Sequence, residues 1–138
     1  MAIQTDFLER SITMTETAYA SLPKQEENAL TYDLYRAACV KGFEISLEQS
    51  ARLLRKALKP FFTSTKQVDR LPFKEVFRVA ARHDLLSLDA VDRWLEYRDH
   101  RNSTAHEYGE HFAEALLPLM PHFIEDAKAL CQAIKNTS

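Results

Sequence analysis

Between residues 101 and 111 the chain reads RNSTAHEYGEH, and this stretch holds the side chains best suited to chemistry. Arg101 stays charged and offers a planar fork of N–H donors that fits phosphate oxygens. His106 can both take and give a proton near neutral pH. Tyr108 adds a phenolic hydroxyl two residues further on. Together these are tools for handling phosphate esters. On a continuous helix Arg101 and Tyr108 fall within about 20° of one face, but His106 lies about 140° from Arg101. Either the helix is interrupted between them, or Asn102, one turn before His106 and on its face, works with the histidine while Arg101 reaches round. The spacing therefore predicts a kink at this motif. A purely structural use of the same residues would pair Arg101 with Asp99 or Glu96, cap a helix with His106 and half-bury Tyr108.

Other chemistries lack their residues. Gly42 and Gly109 are the two glycines, and a phosphate-binding Gly-rich loop needs several clustered together. The run HEYGEH resembles an inverted zinc-protease motif, but three residues separate His106 from Glu110 where that motif has two. The extra residue turns Glu110 and His111 about 100° around a helix, so no metal site is expected. Cys39 and Cys131 fall on apolar stripes with no CxxC spacing, which suits buried thiols in a reducing compartment. No cofactor is expected.

The elements that position the motif follow from composition and spacing. At 138 residues, 46% of them hydrophobic, the chain is long enough for one core and too short for two, so residues 1–138 form a single domain. Few glycines and many Ala, Leu, Glu, Lys and Arg favour helix throughout. Leu8, Ile12, Thr15, Tyr19 and Leu22 mark a first helix ending before Pro23. A long second helix runs from about Glu26 to Leu58, closed by Pro60. FTSTKQVDR reads as a polar connector. LPFKEVFRVAARHDLL predicts a third helix ending near Leu85, and Ser87 N-caps a fourth that carries Leu88, Val91, Trp94 and Leu95 into the motif. From Tyr108 onward Phe112, Leu116, Leu119, Phe123, Ala127, Leu130 and Ile134 mark a last helix, bent at Pro118 and Pro121. The fold expected is all-α, an antiparallel bundle of four or five helices. No basic start followed by an apolar run opens the chain and no window is apolar enough to span a membrane, so a cytoplasmic protein is expected.

The formal net charge of -2 is unevenly spread, because residues 52–82 carry nine basic and two acidic side chains. Arg52, Arg55, Lys56 and Lys59 of the long helix are the candidates from this segment for contact with a polyanion. A solvated face paired with neighbouring acidic helices is the plainer use of the same charge.

The motif Arg101-Asn102-Ser103-Thr104-Ala105-His106-Glu107-Tyr108 resembles the RX4HXY signature of HEPN-domain proteins. More narrowly it is similar to the HepT-like group labelled nucleotidyltransferase substrate-binding proteins. GFEISLEQSARLLRKAL at 42–58 resembles that group's second-helix pattern, FE-x-x-x-E-x-x-x-x-x-L, and length and helix order agree. The resemblance implies a metal-independent endoribonuclease toxin of a two-gene pair whose antitoxin is a small nucleotidyltransferase. It implies that His106 serves as general base or acid, that Arg101 holds the phosphate, and that Asn102 orients His106 or binds phosphate. Tyr108 would be the residue that the partner adenylylates. It also implies a homodimer with two motifs facing across a cleft, and one histidine cannot be ionised and neutral at once, so concerted cleavage calls for the second copy. The rival expectation is a non-catalytic subunit that binds substrate for, or docks with, the nucleotidyltransferase.

Overall fold

The computed structural model describes residues 2–23, 27–106 and 110–137, apart from the side chains of residues 103–106, 110 and 112. The first helix, α1, spans Asp6–Ala20, with Asp6 and Glu9 in its first turn where the helix dipole favours negative charge. The second, α2, spans Ala29–Leu58. It starts three residues later than its apolar stripe suggested, because Asn28 caps it by accepting a hydrogen bond from the Thr31 amide at 3.0 Å. It ends at Leu58 as expected, and Pro60 sits in the 3-10 turn Lys59–Phe61 that follows.

The segment expected as a connector contains a short helix, α3, at Thr65–Asp69. Ser64 caps it, and Val68, fully buried, ties it to the core. Next, α4 covers Phe73–Arg82 and stops before Leu85. The stop is a left-handed turn at Asp84 (φ 62°), with the Leu85 amide donating to the Ala80 carbonyl at 2.9 Å and the Asp84 amide to Ala81 at 3.1 Å. That arrangement usually recruits glycine, and aspartate tolerates it better than most residues. Ser87 then caps α5, Leu88–His106, by accepting from the Ala90 amide at 3.1 Å. The expected single bent last helix is divided. Its parts are α6 at Glu110–Leu116, a 3-10 turn at Leu117–Leu119 containing Pro118, and α7 at Met120–Asn136 with Pro121 in its first turn. Proline lacks the N–H that an unbroken helix would need at these points.

Among the described residues every regular element is helical, and the five of ten residues or more form the bundle. Its centre is aromatic. Phe77 stacks on Trp94 with ring centroids 5.0 Å apart, Tyr97 meets Phe123 edge-on at 5.1 Å, and Phe43 meets Phe123 at 4.7 Å. Each ring is almost wholly buried, and truncating any one to alanine should cost about 3–5 kcal/mol. Helices α1 and α2 approach closely because Gly42 has no side chain where Thr15 sits, since a Cβ there would lie 2.2 Å from Thr15 Oγ1. Cys39 and Cys131 are both free and buried, and burial pushes the Cys39 thiol up to about 11. Among the described residues no helix is long and apolar enough to cross a membrane.

Candidate functional site

Helix α5 carries the motif, and its register decides which residues share a face. Val91, Trp94 and Tyr97 turn toward the core. Arg101 follows Trp94 by seven residues, so it leaves the same side of the helix about 20° round. There it meets α2, with Nε 4.0 Å from Glu44 Oε2. One turn earlier on α5, Arg98 Nη1 lies 3.4 Å from Glu48 Oε1, one turn later on α2. The two pairs run in opposite directions along their helices and lace α2 to α5 antiparallel. The FE-x-x-x-E pattern thus has a physical meaning, with Phe43 in the aromatic core and Glu44 and Glu48 facing the arginines of α5.

The backbone of α5 is unbroken from Leu88 through His106. The helix is therefore not interrupted between Arg101 and His106, and the expected kink can be followed no further, because residues 107–109 lie outside the described residues. Asn102 is exposed, and the backbone of His106 comes one helical turn after it. The side chain of His106, and the whole of Tyr108, lie outside the described residues.

Both flanks of the motif are anchored. On the α5 side, buried Asp126 of α7 receives two hydrogen bonds from Arg93, at 2.8 and 2.7 Å, and a third from the Tyr97 hydroxyl at 2.6 Å. Burial, then the bond to Asp126, pushes the Tyr97 phenol well above its ordinary range. Lys74 of α4 adds an ion pair with Asp99 at 2.8 Å. On the α6 side, Glu114 accepts from the Tyr32 hydroxyl at 2.5 Å and from Arg36 Nη1 at 2.9 Å, both on α2. The Tyr32 bond, with help from Arg36, holds the Glu114 carboxyl below its ordinary value against the opposing effect of burial. Of these clamp residues the sequence singled out Asp99 alone, as a partner for Arg101, and the pair it makes here is with Lys74. The detectable signal was the i, i+3 spacing of Arg98 and Arg101 against the i, i+4 spacing of Glu44 and Glu48.

Between α2 and α6 a cleft of 380 Å³ opens, with polar and apolar walls that include Asp33, Arg36, Val40, Lys41, Glu44 and Ala113. Its Glu44 is the residue that faces Arg101. Of the four basic candidates, Arg52 and Lys56 on α2 and Lys59 in the turn after it are exposed, while half-buried Arg55 on α2 donates Nη1 to the Val68 carbonyl at 2.9 Å. Among the described residues no three His, Cys, Asp or Glu side chains group as metal ligands.

Residues 8–136 match the family described as "Nucleotidyltransferase substrate binding protein like". A protein of Haemophilus influenzae named "Probable ribonuclease HepT" is 25% identical over 108 residues, which are 78% of this chain and 73% of that protein. A solved structure, also from Haemophilus influenzae and described as having the fold of a substrate-binding domain of a nucleotidyltransferase, superposes with a TM-score of 0.83. It is 21% identical and covers 95% of this chain and 98% of its own, a likeness that establishes the bundle fold.

Proposed function

Since this chain belongs to the HepT-like, nucleotidyltransferase substrate-binding-protein-like family, we propose that it is a metal-independent endoribonuclease, the toxin of a pair whose small nucleotidyltransferase silences it by adenylylating Tyr108. The observation that carries this reading is the unbroken α5. It carries Arg101, Asn102 and the backbone of His106 within two turns of one helix, with Arg101 set against Glu44, a residue that lines the cleft between α2 and α6. The name of the Haemophilus influenzae relative supports the same activity.

In this mechanism the imidazole of His106 takes the proton from a ribose 2'-hydroxyl. The 2'-oxygen forms a bond to phosphorus, the bond from phosphorus to the 5'-oxygen breaks, and that oxygen accepts a proton from an imidazolium. Arg101 binds the non-bridging oxygens and stabilises their growing charge. Asn102, one turn from His106, orients the imidazole or donates to the phosphate. Acid and base act together when His106 of a second copy faces the same phosphate, which makes the active form a homodimer. Adenylylation of Tyr108 places a phosphate charge and a nucleotide beside the site and blocks it.

A second reading, a non-catalytic subunit that binds substrate for the nucleotidyltransferase or docks with it, draws on the family description and on that of the structural relative. Expression of wild type beside His106→Ala, with and without the partner nucleotidyltransferase, separates the two. Growth arrest and RNA loss for wild type alone, relieved by the partner, support the nuclease. Equal behaviour of wild type and His106→Ala supports the docking role. Intact mass after incubation with the partner and ATP tests the switch, which is removed if no AMP is gained or if Tyr108→Phe gains it equally.

A further inference from the structure

Arg98, which laces α5 to α2 beside the motif, also borders a second cleft on its far side. This cleft, of 350 Å³, lies between α2 and the start of α4, and Arg52, Arg55, Arg98 and Phe73 are among its walls. Its volume is in the range of clefts that hold small ligands, about 300–1,000 Å³. Three guanidiniums line it against a single carboxylate, Glu48. Gathering like charges in one concavity is unfavourable unless an anion joins them.

Two of the three arginines are already held in position. The guanidinium carbon of Arg98 sits 4.6 Å from the centre of the Phe73 ring, and its Nη1 faces Glu48 at 3.4 Å. Arg55 uses Nη1 on the Val68 carbonyl at 2.9 Å. A guanidinium has five N–H donors, so both keep others for a ligand. Arg52 is exposed and its side chain makes no hydrogen bond or ion pair among the described residues. Such fixed forks suit the paired oxygens of a phosphodiester better than the point charge of a lysine would. Lys56 on the same helix and Lys59 in the turn after it do not line the cleft.

We propose that this cleft binds a backbone phosphate of the RNA strand at a position removed from the one that is cut. Arg52 contacts that phosphate directly, and Arg98 links the subsite to the motif. The identity of the ligand rests on the ribonuclease reading above. Arg52 is eight residues beyond Glu44 on α2, so the subsite lies about 12 Å along the helix from the point that Arg101 touches. A short stretch of extended strand spans that distance. The cleft thereby gives a role in substrate binding to the basic segment 52–82, and assigns it to two of its arginines together with Arg98 of α5.

The test uses the full chain carrying His106→Ala, so that labelled single-stranded RNA is bound without being cut. Arg52→Gln is compared with Lys66→Gln, an equal loss of charge at an exposed position outside the cleft. Arg52→Gln should weaken RNA binding about tenfold and lower the salt dependence by about one phosphate contact, while Lys66→Gln costs less than about twofold. Arg52→Lys should recover only part of the loss. Equal losses for Arg52→Gln and Lys66→Gln, or none for Arg52→Gln, would overturn the proposal. So would unchanged RNA binding with lost association to the nucleotidyltransferase, which would make the cleft a protein contact. Cleavage by the chain with His106 intact is followed in parallel. RNA cut normally with Arg52→Gln silent in binding removes the subsite alone. A cleft that binds RNA in a chain that never cuts it removes the nuclease reading alone.

Discussion

Glu44 of α2 and Arg101 of α5 face one another at 4.0 Å, and each side chain is about a quarter exposed, at 26% and 27%. That geometry keeps the arginine near the motif without locking it away from a ligand. In the proposed reaction a phosphate arriving at the site would compete with Glu44 for the same guanidinium.

Replacing Glu44 with Gln should therefore act on binding more than on the fold. At 4.0 Å the pair sits at the outer limit of an ion pair, so its contribution to stability should be no more than about 1 kcal/mol. Removing the competing charge should tighten RNA binding in the His106→Ala background by about two- to fivefold at low salt. Weaker binding by the Gln variant would mean that Glu44 positions Arg101 more than it opposes the ligand.

The clamp at Asp126 should behave differently, because it is buried. Tyr97→Phe removes one hydrogen bond and should cost about 1–2 kcal/mol. Asp126→Ala strands the Tyr97 hydroxyl and leaves Arg93 without its carboxylate, and should cost about 2–4 kcal/mol, less than a fully enclosed pair because Arg93 is 39% exposed. Urea unfolding measures both. Equal losses for the two variants would show that the Arg93 bonds add nothing.

Much of this was legible beforehand, and the exceptions have physical reasons. The long α2 and the Ser87 cap could be read because apolar period and capping chemistry are local signals. The short α3 could not, since five residues hold too little pattern, and what fixes it is the burial of Val68 against distant parts of the chain. The early end of α4 depends on Asp84 taking a conformation usually left to glycine. Arg101 and Asn102 stand out as candidates from residue type and spacing alone. Arg98 and Glu114 act through partners on other helices, and the same is true of Glu44, whose FE-x-x-x-E stretch could be quoted without showing which arginine it faces.

The α2–α6 clamp should depend on pH at both ends of the range. Hydrogen bonding from Tyr32 lowers the Glu114 pKa below its ordinary 4.5, so its stabilisation is complete above that value and is lost as pH falls through the lower, folded one. The same bond raises the Tyr32 phenol above its ordinary 10.0, so this contribution is present below that pH and is lost as pH rises through the folded value. The stability difference between wild type and Tyr32→Phe should be flat near neutrality and shrink at both limits. A difference that grows below pH 4.5 would contradict the assignment.

Gly42→Ala probes the contact between α1 and α2. Alanine is the better helix former, yet its Cβ would stand 2.2 Å from Thr15 Oγ1, whose hydroxyl is tied to the Ser11 carbonyl at 2.7 Å. The crowding should outweigh the propensity gain, for a net loss of about 1–3 kcal/mol. Adding Thr15→Ala should return part of it. An unchanged or raised melting temperature for Gly42→Ala would show that the helices separate at little cost.

The central claim is tested most directly by incubating the purified chain, free of its partner, with single-stranded RNA in the presence of EDTA. Arg101→Ala, His106→Ala and Asn102→Ala are measured alongside. The account predicts cleavage that survives the chelator, falls by at least about a hundredfold in Arg101→Ala and His106→Ala, and is reduced less in Asn102→Ala. Cleavage that persists in His106→Ala, or that wild type performs only when a divalent metal is restored, would contradict it.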